Sequence, residues 1–418
     1  MKAIFFHQQG YRDLPDDFRT RYPSIWTTVP NRELCDPHKV GQYLNWNLDE
    51  LEYAMDLGFH GVATNEHHQN AFGFPVTPNL TAAVLARKDS DAAIINMGNV
   101  AVMYNPPLRV AEEIAMLDCL SGGRMVAGLP VGLPADTILN YGIAPTEVRP
   151  RFYEAHDLIT QAWTRPGPFP FNGKYTKLRY VNPWPIPVQR PHPPIWLAGG
   201  GSIETWEMAA KYDYPYSYVS LAGFKSAKTN VDLFWNVQEK AGRDDNPYRV
   251  SFAQIVMVGE TDADAEASYA KHCQNFFAKA LHTPPQYMTI PGYMTTQSLR
   301  AQIQRTGTTS PWTSASRGTT PTWSTMLESG TVIGGGPDTV AQQLKHLMTS
   351  MRAGRLIILM QLQSMPTEVA KKNLKLFAEK VLPQIENLWD DKYEDRWWPA
   401  NARRGANAKT KTAVGSAA

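Results

Sequence analysis

Cysteine is scarce in this chain of 418 residues: Cys35, Cys119 and Cys273 stand far apart, odd in number and without metal-binding spacing. That argues against a disulfide framework and a thiolate zinc site, and it fits a reducing compartment. Long apolar runs are missing too. The opening MKAIFFHQQG is too short for a secretion-signal core, and no run approaches the ~20 apolar residues of a membrane helix. A cytoplasmic protein with no membrane partner is expected. Neither charge sign dominates, since 41 Lys and Arg are interspersed with 39 Asp and Glu for a net +2. There is accordingly no electrostatic case for nucleic acid. No G-x-G-x-x-G opens the first helix, which argues against a doubly wound dinucleotide-binding sheet.

What is present is apolar material for a large core, 43% of the chain, arranged as alternating strand-like and helix-like segments. The strand candidates are AIFF, GVAT, AAIINMGNVAVM, MVAGL, IWLAG, YSYVS, SFAQIVMVG and RLIILMQL. Helical periodicity follows each, as in NLDELEYAMDLGF, RPRFYEAHDLITQAW and IETWEMAAKY. Strand, helix, repeat predicts a parallel sheet, and eight repeats predict a (β/α)8 TIM barrel with insertions. One insertion is the proline-dense stretch 164–194, an excursion over the surface. Another is 283–330, rich in Thr, Ser, Pro and Gly, a long lid-like loop carrying Tyr287, Tyr293 and Trp312. Residues 1–398 read as a single domain, and 399–418 as a disordered basic tail.

In a barrel of this type catalytic groups come from the C-terminal ends of the strands and the loops after them. VATNEHHQN places Glu66, His67 and His68 there, after the second strand. Three readings compete: a metal site with His7 as the natural third ligand, two histidines already satisfied at the surface or behind the site, or one histidine moving a proton beside a cofactor. If the strand continued, its alternation would keep both histidines from facing inward. WLAGGGSIETWEMAA joins the fifth strand to a helix through glycines and Ser202, a turn whose bare N–H groups suit an anion such as phosphate. Ser202 is positioned to cap that helix. Asn99, Val100 and Ala101 end the third strand at the same mouth, and LPVGLPADTILNYGI follows the fourth as a Gly/Pro loop. Tyr104, Trp196 and Tyr218 are candidate pocket aromatics, with ordinary core packing as the alternative.

Together the Glu66-His67-His68 motif, SGGR before the fourth strand, PIWLAGGGS into the fifth helix and GGGPDTVAQQL near the end resemble the bacterial luciferase-like monooxygenase family. The resemblance runs in order over residues 1 to 390 and implies a (β/α)8 barrel using reduced FMN and oxygen, or in some branches F420. By the same resemblance His67 is the acid/base residue beside the flavin. Asn99, Val100 and Ala101 lie under the ring with an unusual cis peptide at Val100–Ala101, and Gly200, Gly201 and Ser202 hold the phosphate. No metal is implied. The family's Cys-Arg pair after the fourth strand is replaced here by Pro130 and Val131, so phosphate binding either falls to other groups, Arg149 or Arg151, or is weaker. The implied activity is a two-component monooxygenase acting on a small apolar organic substrate, served by a separate flavin reductase and assembled as a homodimer. An F420-dependent hydride-transferring oxidoreductase and a non-catalytic flavin-binding partner subunit are the alternatives.

Overall fold

Short β-branched runs bounded by glycine and polar turns become eight strands, too apolar on both faces for anything but a buried parallel sheet. In a computed structural model, which describes residues 1–219, 221–306, 320–390 and 392–402, they are β1 (Lys2–Phe6), β2 (Gly61–Thr64), β3 (Ala93–Asn96) and β4 (Met125–Gly128). The second half comprises β5 (Ile195–Gly199), β6 (Tyr216–Tyr218), β7 (Val250–Val258) and β8 (Arg355–Leu359). Each pairs in parallel with the next, and β8 pairs with β1 to close the barrel. One further strand, Val332–Gly335, was not anticipated. It shares an edge of β7 with β6: β6 takes Val250 to Phe252, and Val332–Gly335 takes Ile255 to Val258.

Side chains that alternate along the strands build two cores. Ile4, Phe6, Ile95, Trp196, Ile255 and Ile357 fill the barrel interior. Phe5, Val62, Ile94, Phe252 and Ile358 face outward beneath the helices. Between β3 and β4 only glycine fits: a Cβ on Gly128 would stand 1.9 Å from the Asn96 carbonyl oxygen. That close approach lets the Asn99 N–H reach the Gly128 carbonyl at 3.0 Å.

The first long helix runs Pro37–Asp56, starting well before Asn47, because Asp36 caps it by accepting the His38 N–H at 2.9 Å and Pro37 sits in its first turn. The proline-dense excursion contains an antiparallel hairpin, Phe169–Asn172 with Lys177–Val181. Its tip is tied to the helix Val148–Thr164 by Glu154, which accepts the N–H groups of Lys174, Tyr175 and Thr176. The 283–330 insertion is more than a loop, since it includes helices Thr296–Thr306 and Trp323–Ser329, the second capped by Thr322. Residues 307–319, Trp312 among them, lie outside the described residues.

At the C-terminal end, Trp397 and Trp398 close the bottom of the barrel, with Trp398 5.9 Å from the Trp196 ring. The chain therefore stays packed beyond residue 398: Ala400–Ala402 forms a short turn with Ala402 buried, held by the Trp398 indole N–H donating to the Ala402 carbonyl. The remainder of the anticipated tail, 403–418, lies outside the described residues. No helix of the described residues is long and apolar enough to cross a membrane.

Candidate functional site

β2 ends at Thr64, so strand alternation does not govern the residues that follow. The chain turns there, and both histidines are buried, so neither is a surface histidine: Glu66, His67 and His68 are 3%, 9% and 6% exposed. They point to different carboxylates. His67 Nδ1 lies 2.9 Å from Asp136 Oδ2, and His68 Nε2 lies 2.8 Å from Glu66 Oε1. His7, the third ligand a metal would require, is committed elsewhere, its Nε2 lying 2.6 Å from buried Glu50.

Asp136 stands in a widened helical turn, Ala135–Asn140, at the end of the loop that follows β4. Such π turns often mark functional positions. Its two oxygens serve both histidines, since Oδ1 accepts the His68 backbone N–H at 3.0 Å. With the carboxylate as acceptor, the proton on His67 is assigned to Nδ1 and Nε2 is left with its lone pair. Among the described residues no hydrogen bond engages Nε2. Trp26 and Phe72 meet the imidazole edge-on, with ring centroids at 4.8 and 5.1 Å, and keep water from that side.

Glu66 faces the third strand. Its Oε2 accepts the Val100 N–H at 3.0 Å and the Tyr104 hydroxyl at 3.2 Å. Burial pushes the Glu66 carboxyl above its ordinary range, against the opposing pull of His68, the Val100 N–H and Tyr104. Tyr141 lies 3.1 Å from His68 Nδ1 on the far side, so the pair is enclosed by two phenols. Asn99 donates to the Tyr104 hydroxyl at 3.3 Å. Ala101 opens a single tight turn, Ala101–Met103, at whose start Val100 has φ −79° and ψ 78°. The Val100–Ala101 peptide is trans, contrary to expectation, and the cis bonds of the described residues all precede proline. The chain turns here through the Glu66 contact to the Val100 N–H and the hydrogen bond from Met103 N–H to the Val100 carbonyl.

On the opposite side of the mouth the glycine turn follows β5. Gly201 has φ +117°, a conformation other residues rarely adopt, and its N–H donates to the Tyr216 hydroxyl at 3.0 Å. Ser202 occupies the cap position of helix Ile203–Tyr212, but it does not cap. Its hydroxyl instead donates to Glu204 at 2.6 Å and accepts from Arg149 Nη2 at 2.8 Å. Arg149 also reaches Thr205 Oγ1 at 3.3 Å, while its Nε is buried without a partner. Arg151, the other candidate, is turned away to Glu147 and the Tyr175 ring.

His67, Asn99, Val100 and Ala101 are thus joined through Asp136, Glu66 and Tyr104, whereas among the described residues no hydrogen bond links them to Gly200, Gly201 and Ser202. The insertion spans the two groups: Tyr293 donates to the Gly132 carbonyl beside the Asp136 turn, and Ser298 donates to Glu204 at 2.7 Å. A cleft of about 410 Å³ borders the first group and is lined by Ala101, Met103, Tyr104, Tyr141 and Ile143. Of the candidate aromatics only Tyr104 lines it. Trp196 packs on Arg355 at the barrel floor, and Tyr218 is buried against Asn230 and Phe252. Asp136 and Glu204 escaped sequence reading. Each is a single acidic residue in a turn already singled out, and no local periodicity marks the partner it finds.

The chain is 35% identical over 144 residues to the uncharacterized protein y4wF of Sinorhizobium fredii, covering 34% of this chain and 41% of that protein. It is 30% identical over 172 residues to the oxygenase component of flavin-dependent trigonelline monooxygenase from Acinetobacter baylyi, covering 41% and 47% respectively. It therefore spans less than half the length of either relative. In fold it is similar to monooxygenase RslO1 from Streptomyces bottropensis, with TM-score 0.67, 20% identity and coverage of 92% and 99%. An F420-dependent secondary alcohol dehydrogenase is also similar, with TM-score 0.61, 13% identity and coverage of 92% and 98%. The family model for luciferase-like monooxygenase matches residues 25–353. Matched over more than half its length by that model, the chain belongs to the luciferase-like monooxygenase family.

Proposed function

We propose that this protein is the oxygenase component of a two-component flavin-dependent monooxygenase, taking reduced FMN from a separate reductase and using oxygen to oxygenate a small apolar organic substrate. The observation that carries the reading is His67, held by Asp136 with Nε2 unengaged at the mouth of a barrel of this family. The trigonelline enzyme, itself an oxygenase component, supports the two-component form.

The residues suit a phosphorylated flavin. Arg149 makes no ion pair among the described residues, its Nε lacks a partner, and its guanidinium points at the Ser202 and Thr205 hydroxyls beside the glycine turn. An arginine with only neutral partners is a natural anchor for a phosphate. Gly200, Gly201 and Ser202 would hold that group. Asn99, Val100 and Ala101 would support the ring. Bound reduced flavin would supply the electrons that activate oxygen. His67 Nε2 accepts or returns a proton there, Asp136 fixes the tautomer that allows it, and Trp26 and Phe72 exclude water. The cleft beside Tyr104 and Ala101 has the size of a small-molecule site, and its lining joins Ala101, Met103 and Ile143 to the polar Glu147, Arg151 and Glu154. Tyr287 and Tyr293 would help cover it.

Two further features support the setting. Leu80, Val84, Met116 and Leu120 are exposed on the neighbouring helices Pro78–Ala86 and Leu108–Leu120, an apolar face suited to a homodimer. Light scattering giving twice the chain mass is the expected result. The three cysteines are unpaired, as in a cytoplasmic protein.

The decisive experiment mixes the protein with reduced FMN anaerobically and then with oxygenated buffer in a stopped-flow instrument. Bound flavin is expected to reoxidise more slowly than free FMN. Reoxidation at the free rate, together with anaerobic reduction of F420, would replace this reading with the hydride-transfer one. Free-rate reoxidation without F420 turnover would favour a non-catalytic partner subunit.

A further inference from the structure

The glycine turn already holds an anion of its own. Glu204, in the first turn of helix Ile203–Tyr212, bends back so that its carboxylate accepts the Ser202 hydroxyl at 2.6 Å and the Ser298 hydroxyl at 2.7 Å, and a close Thr295 hydroxyl as well. Three of the donors a phosphate would draw on are correspondingly occupied. Gly201 N–H is given to Tyr216, Ile203 N–H goes to Ser298 Oγ at 3.2 Å, and the Ser202 proton goes to Glu204. Arg149, the nearby cation, reaches this carboxylate through a single hydroxyl, since Ser202 accepts from Arg149 at 2.8 Å while donating to Glu204. A helix N-terminus stabilises whichever anion sits in its first turn, and here that anion is a side chain.

We propose that Glu204 is an internal competitor for the phosphate of the cofactor, and so determines how strongly this site takes a phosphorylated flavin over an unphosphorylated one. The inference rests on the flavin reading above. Burial pushes the Glu204 carboxyl up, but the hydroxyls of Ser202, Thr295 and Ser298 outweigh it and leave the group below its ordinary value, so it is charged at neutral pH. A phosphate entering the turn meets that charge, and two anions cannot share the Ser202 hydroxyl. Glu204 must withdraw, and in doing so it releases Thr295 and Ser298. Both belong to the insertion that bridges the site, so loading the cradle also frees one anchor of its cover.

The test is equilibrium binding of reduced FMN and reduced riboflavin, measured anaerobically by ultrafiltration, for the wild type, Glu204→Gln and Arg149→Ala. Glutamine keeps the length and the acceptor oxygen of glutamate, and the thermal midpoint checks that the variant is folded. If Glu204→Gln fails that check, Glu204→Ser provides the same measurement with a shorter neutral side chain. Removing a like charge from the cradle is expected to tighten FMN by about tenfold while riboflavin changes by less than about twofold. Arg149→Ala is expected to move FMN the other way. Unchanged FMN affinity in Glu204→Gln, or equal tightening of both flavins, overturns the inference while the flavin reading stands. If no variant, and not the wild type, holds either flavin, the flavin reading falls and takes this inference with it.

Discussion

His67→Ala is expected to shorten the delay in flavin reoxidation markedly, because it removes the group that handles the proton beside the flavin, and such groups change a proton-dependent step by about 10² to 10⁴-fold. Affinity for reduced FMN should change little, because the phosphate cradle lies elsewhere in the mouth and the imidazole makes no contact with it. The size of the effect follows from the geometry. Asp136 accepts the Nδ1 hydrogen bond at 2.9 Å and Trp26 and Phe72 wall the ring, so a proton taken up at Nε2 is not readily lost to solvent. Asp136→Asn separates chemistry from packing. The amide retains the volume and the His68 backbone contact, yet it can present its NH2 to Nδ1 and turn the imidazole into the opposite tautomer. A loss approaching that of His67→Ala, with a displaced pH profile, is expected. If His67→Ala reoxidises bound flavin at the wild-type rate, His67 is not the proton-handling residue, and the phenols around Glu66 become the next candidates.

The second large effect lies at the other end of the barrel. Asp395→Ala is expected to lower stability by about 3 to 5 kcal/mol, measured as the shift of a urea unfolding midpoint at unchanged slope. Arg355 opens β8 and is fully buried. Its Nε donates to Asp395 Oδ2 at 2.9 Å, its Nη2 donates to the other oxygen of the same carboxylate, and its Nη1 donates to the Tyr248 carbonyl at 2.5 Å. The guanidinium lies 4.4 Å from the Trp196 ring centre. Without Asp395 a buried cation loses its only ion-pair partner among the described residues, and the desolvation cost stands unopposed. Replacing both partners, Arg355→Met with Asp395→Leu, should recover most of the loss, since an apolar pair carries no such cost. A single-variant loss below about 1 kcal/mol would mean that the stacked indoles, and not the carboxylate, hold this end of the chain.

Much of this molecule is legible in the sequence, and what is not escapes for a common reason. The barrel strands were readable because apolar β-branched runs and helical spacing are local properties of the chain. The Glu66-His67-His68 motif and the Gly-Gly-Ser turn were readable because each lies within a few residues of a recognisable strand end. The strand Val332–Gly335 was missed because its run is short and glycine-rich, and only the unoccupied half of β7 makes it a strand. The trans peptide at Val100–Ala101 was misread because family resemblance carries a backbone habit, whereas the local turn here answers to Glu66.

By itself, then, the sequence determined the alternation of strands and helices, the burial of the strands on both faces and the placing of the candidate groups at the C-terminal mouth. Only the tertiary structure decided the chemistry of those groups. Asp136 is 69 residues from His67, Arg149 is 53 from Ser202 and Ser298 is 94 from Glu204. Such pairs are set by barrel closure and by the docking of an insertion across the mouth. Periodicity reaches one turn of helix or one pleat of strand, while a hydrogen bond across the mouth depends on every unit between its partners having folded.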